Sequence, residues 1–87
     1  MNTPGIGCYR VISSIASQLH LDSAGTASVV GAGTTPGRWR LVGDSVVVRW
    51  RDSVAVFPAG GERPSGRIGA VGGESRPLTL RRGCPAP

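Results

Sequence analysis

The segment GRWRLVGDSVVVRWR, Gly37 to Arg51, constrains the fold more than any other part of this chain. Gly43 and Asp44 stand between two runs of alternating apolar and polar residues. A Gly-Asp pair there signals a hairpin, because glycine accepts the positive φ that a type II′ turn requires. A two-residue loop pairs Val42 with Ser45, Leu41 with Val46, Arg40 with Val47, Trp39 with Val48 and Arg38 with Arg49. Strand side chains alternate between faces. This register therefore gathers Trp39, Leu41, Val46, Val48 and Trp50 on one side, and Arg38, Arg40, Val47, Arg49 and Arg51 on the other. One face requires a core; the other requires water or an anion.

The flanking sequence extends the pattern. Cys8 to Ile12 reads as a strand, although Ile12, Ile15, Ala16 and Leu19 also fall at helical spacing and leave room for a short N-terminal helix. QLHL, DSAG and TASVV form a second hairpin, with Asp22, Ser23 and Gly25 as its turn residues. Gly31 to Gly37 reads as a loop that Pro36 helps to end. Val54 to Phe57 is a short strand stopped by Pro58, and Ala59 to Gly66 is the segment expected to be loosest. Arg67 to Val71 and Pro77 to Arg82 are closing strands joined by a Gly-Gly-Glu-Ser turn. Seven or eight short strands with frequent turns predict an all-β fold, a small antiparallel meander or partly open barrel. Residues 7–84 form the single β-domain of this reading, with disordered ends at 1–6 and 85–87.

Eighty-seven residues make one small domain, and a chain of this size buries only about 60–65% of its unfolded surface. With 14 glycines, 7 prolines and few aromatic rings, it needs either the tryptophan-centred core or a covalent staple. Cys8 and Cys84 stand at opposite ends of the chain, with no CxxC or Cys/His cluster to suggest a metal. First and last strands of a barrel commonly meet, so the two cysteines are a disulfide candidate. Such a bond would contribute on the order of 4–5 kcal/mol and imply an oxidising compartment. The first twenty residues contain no export-signal pattern, and no run approaches the ~20 apolar residues of a membrane-spanning helix. The compartment therefore stays open between a cytoplasmic protein with free thiols and an exported one whose leader lies upstream of Met1.

The net charge of +5 comes from arginine alone, a usage that GC-rich coding also produces. A solvated basic face is the plain reading of Arg38, Arg40, Arg49 and Arg51. As an anion-binding plate they would offer paired hydrogen bonds to phosphate or carboxylate. Nucleic acid is the less favoured partner, because binders of single strands add exposed rings for base stacking, and here both tryptophans face the other way. His20, Asp22 and Ser45 make a Ser/His/Asp set on paper, without the Gly-x-Ser-x-Gly elbow. Gly31 to Gly37 lacks the lysine and the following helix of a phosphate loop. No catalytic residue, metal site or cofactor is expected.

The order GCYR, LHLDSAGTASV, GRWRLVGDSVVVRW, SGRIG and RPLTLRRGC resembles the small lipocalin-like β-domains of uncharacterised exported bacterial proteins. The likeness runs from Gly7 to Cys84. It implies a non-enzymatic, exported domain that is structural or binds an apolar or anionic ligand. This chain departs from the family in being shorter than a full lipocalin, and a barrel this small is usually filled by its own side chains. The alternatives are a basic β-barrel that binds nucleic acid or another polyanion, and an open reading frame product with no selected function.

Overall fold

A computed structural model of the chain describes residues 6–12, 18–31 and 33–83. Eight strands follow one another: β1 (Gly7–Val11), β2 (Gln18–Leu21), β3 (Thr26–Val30), β4 (Thr34–Val42), β5 (Ser45–Trp50), β6 (Ser53–Pro58), β7 (Ser65–Ala70) and β8 (Ser75–Arg82). Each pairs antiparallel with the next, and β1 also pairs with β8, so the meander closes into a barrel. Closure removes both free edges, the places where a small sheet would otherwise aggregate.

The central hairpin has the register its sequence demands, from Val42 opposite Ser45 to Arg38 opposite Arg49. Gly43 alone takes a positive φ, 61°, and Asp44 does not, the pattern of a type II′ turn. Trp39, Val46 and Val48 are buried, and Leu41 and Trp50 pack against the core from its margin. The rest of the interior comes from the inward positions of the other strands, including Tyr9, Leu19, Leu21, Phe57, Leu78 and Leu80.

Two details differ from expectation, and a third falls outside the described residues. The Gly31–Gly37 stretch is not all loop, since β4 begins at Thr34 and Pro36 lies opposite Ser28 of β3. A proline is tolerated because the N–H of Trp39 points to the β3 side, at Gly25. By alternation the nitrogen of Pro36 points the other way, past the end of β5, where no ladder bond is lost. The helical spacing around residue 15 falls largely on 13–17, outside the described residues; Leu19 sits in β2, and no helix occurs among the described residues.

The segment from Ala59 to Gly66 is tied down rather than loose. Ala59 donates its N–H to the Asp44 carbonyl at 2.9 Å, while Leu80 and Arg82 donate theirs to Pro64 and Glu62. Because β7 begins only at Ser65, the last turn of β8 finds its hydrogen-bond partners in this loop. Gly66 lets the wall bend there, since a Cβ at that position would overlap the carbonyl oxygen of Val56.

Candidate binding cavity

The barrel has two ends of different construction. At one end lie the tight turn Gly43–Asp44, the 59–64 loop, the start of β1 and the finish of β8. Tyr9 and Phe57 meet there edge to face, with ring centroids 5.2 Å apart at 64°. The Arg82 guanidinium lies 5.4 Å from the Tyr9 ring centre. It donates to the Ala59 carbonyl at 2.8 Å and to the Tyr9 hydroxyl at 3.2 Å. Stacking, ring quadrupole and hydrogen bonds act together on one charged head. Burial raises the Tyr9 hydroxyl above its ordinary value near 10, against a smaller downward pull from Arg82. This end is plugged.

The other end holds a cavity of about 330 Å³. Its walls are Val11, Leu19, Val29, Trp50, Ala55, Ile68, Leu78 and Leu80, with Gln18, Arg76 and Pro77 at the side. The two halves differ in what fills the bore: aliphatic side chains, the small Ala55 and an indole drawn in only partly line this half, where the plugged half has Tyr9 and Phe57. Trp50 is partly buried, so its indole forms a wall with one side still accessible. A barrel this small was expected to be filled by its own side chains. At this end it is not.

The arginines are only partly brought together. Arg38, Arg40 and Arg49 project outward from β4 and β5, with Arg38 opposite Arg49. Arg51 leaves the plate, because β5 ends at Trp50 and Arg51 falls in the turn to β6 with φ 50°. The sequence carries a sign of that turn: Arg51-Asp52-Ser53-Val54 repeats the pattern of Gly43-Asp44-Ser45-Val46 with arginine in the glycine position.

Cys8 lies opposite His20 on β1 and β2, its sulfur 3.4 Å from His20 Nε2; Gln18 Oε1 is 3.1 Å from the same nitrogen. One ring nitrogen faces both groups, so no proton relay runs through this imidazole. Asp22 turns its carboxylate onto the N–H groups of Ala24 and Thr26, and Ser45 starts β5. The paper triad is therefore not assembled. Cys84 lies outside the described residues, but its chain neighbour Gly83 donates its N–H to the Cys8 carbonyl at 2.7 Å.

Among the described residues there is no group of three or more His, Cys, Asp or Glu side chains placed to hold a metal ion. Nor is any helix there long and apolar enough to cross a membrane. Comparisons with protein-family models, curated proteins and solved structures find no match.

Proposed function

We propose that this barrel is a non-enzymatic binding domain that takes a small amphipathic ligand into its cavity end, apolar part inward and anionic head toward Arg76. The observation that carries this reading is the cavity itself: an apolar chamber with a single charged side chain, Arg76, among its lining residues. Its volume lies at the lower bound of small-molecule sites, and at about 30 Å³ per water-sized group it has room for roughly ten. A medium-chain carboxylate matches both the size and the polarity. The resemblance to lipocalin-like exported domains points the same way.

Trp50 provides the readout. Titration with decanoate is expected to change its emission saturably. Ile68→Trp, which fills the chamber, is expected to abolish binding, and decylamine to bind more weakly than decanoate because its head repels Arg76. Absence of any saturable response up to about 1 mM, a binding free energy of only about −4 kcal/mol, would remove the reading.

Export belongs to the same proposal and rests on a Cys8–Cys84 disulfide. The support is the Gly83-to-Cys8 backbone bond, which brings the chain to within one residue of the pairing at the β1–β8 seam. Thiol titration of the denatured, unreduced protein is expected to find no free thiol, whereas two would defeat the pairing. Reduction is expected to lower stability by about 4 kcal/mol, the loop-closure value for a bond that spans most of the chain.

A further inference from the structure

We infer a second binding site, independent of the cavity: a recess on the outer wall, between the β2–β3 turn and the β4–β5 hairpin, that binds a diphosphate group. The recess is a shallow, open depression of about 340 Å³ lined by Ala24, Gly25, Arg38, Trp39, Arg40, Val47 and Arg49. Three guanidinium groups surround it.

The placement of those groups is unfavourable without a ligand. Arg38 and Arg49 are cross-strand partners, so their Cβ atoms stand about 5 Å apart, and like charges directly opposite destabilise a sheet. Arg40 stands one outward position along β4 from Arg38, about 7 Å away along the strand. No side chain among the described residues bonds or pairs with any of the three. The carboxylate of the adjoining turn, Asp22, makes no ion pair with them; its Oδ1 accepts the N–H groups of Ala24 and Thr26 at 3.0 and 2.9 Å. Gly25 leaves the turn side of the recess without a side chain, so a bulky anion can approach the backbone there.

The geometry favours a diphosphate over a nucleic-acid strand. Guanidinium forks match pairs of phosphate oxygens. Two linked phosphates carry about three negative charges, on the scale of roughly −1.5 to −2 for a phosphomonoester, so three arginines balance them. A strand reader needs rings on the surface for the bases. Here the Trp39 indole is buried, its Nε1–H donated to the Asp22 carbonyl at 2.8 Å, and Trp50 belongs to the cavity on the inner side.

The probe is inorganic pyrophosphate, titrated calorimetrically at low salt against wild type and two triple variants. Arg38→Gln with Arg40→Gln and Arg49→Gln empties the recess of charge. Arg63→Gln with Arg67→Gln and Arg81→Gln removes the same charge from elsewhere on the surface without removing a second opposed arginine pair, since only one member of the Arg10–Arg81 pair is changed. The recess variant is expected to bind at least ~10-fold more weakly than wild type, and the control within about 3-fold. A matching loss in both variants would reduce the effect to net charge and overturn the site, as would wild type that fails to bind. Amide shifts of Ala24, Gly25 and Val47 in wild type test the location without any substitution; shifts centred elsewhere overturn it. A thymidine oligonucleotide that binds where pyrophosphate does not would replace the proposal with a strand-binding face. None of these outcomes depends on decanoate, so cavity and recess stand or fall separately.

Discussion

The two ends of the barrel share the same strands, yet one is filled and the other hollow. At the plugged end, Tyr9 and Phe57 fill the bore edge to face, and Arg82 closes it with bonds to a carbonyl and a hydroxyl. At the cavity end Val11, Val29, Ala55 and Ile68 line the bore together with three leucines and the half-buried Trp50, and about 330 Å³ remains. Both ends alternate in the same way, so the difference lies in how the side chains fill the bore. In a barrel this narrow a few positions decide whether the bore is core or pocket: Tyr9 and Phe57 meet across it at one end, whereas at the other Trp50 is drawn in only partly and Ala55 leaves space beside it. Tight packing is accordingly concentrated at one end.

The largest expected effect breaks that asymmetry at the filled end. Phe57 is fully buried against Tyr9, so Phe57→Ala removes a ring from tight packing and is expected to cost about 4 kcal/mol. Ile68→Ala enlarges a cavity that already exists, around a side chain that is only partly buried. It is expected to cost about 1–2 kcal/mol, below the range for a well-packed site. Urea titration of both variants measures the contrast. Equal losses would mean that the cavity end carries as much of the fold as the plug.

The turns at the two ends sharpen the comparison on a smaller scale. Gly43-Asp44 closes β4–β5 at the plugged end, with the left-handed residue a glycine. Arg51-Asp52 closes β5–β6 at the cavity end and puts an arginine at φ 50°, where a side chain costs roughly 1–2 kcal/mol relative to a relaxed backbone. Arg51→Gly is expected to gain about 1 kcal/mol, the greater freedom of glycine in the unfolded chain offsetting part of the relief. Gly43→Arg is expected to lose a similar amount. For a domain of this length the shift is about 4–8 °C in Tm in each direction. If Arg51→Gly gives no gain, the arginine is held by something other than the turn.

These turns also show what the residues disclose and what they conceal. The register of β4 on β5 was legible because Gly-Asp marks its loop and alternation is unbroken on both sides. The second tight turn carried a weaker sign, the Asp-Ser-Val repeat without its glycine, and so Arg51 read as a strand residue in the basic plate. Pro36 read as a loop residue because its tolerance depends on β5 ending one position short of it. That is a fact about the neighbouring strand. The cavity was illegible for a similar reason: it results from which inward residues share a level of the barrel, and pairings such as Val11 with Leu80 or Ala55 with Ile68 emerge only after closure. The recess needed the β2–β3 turn placed beside Arg40, which no local pattern specifies.

The smallest expected effect at neutral pH sits in the plug and grows only in alkali. Tyr9→Phe keeps the ring and loses the 3.2 Å bond from Arg82, which retains its bond to Ala59, so the cost is expected to be about 0.5 kcal/mol. The buried phenol is raised because desolvation outweighs the pull of Arg82, so the folded chain holds that proton after the unfolded chain has begun to release it. Below about pH 10, the ordinary tyrosine value, the phenol's contribution is fully present; as pH rises through the folded value it is lost. Phenylalanine has no such dependence. Wild type is therefore expected to be the more stable protein near pH 8, and the gap is expected to close or reverse near pH 11. A gap that stays constant across that range would show the Tyr9 hydroxyl to be solvated, and the end of the barrel that contains it to be open as well.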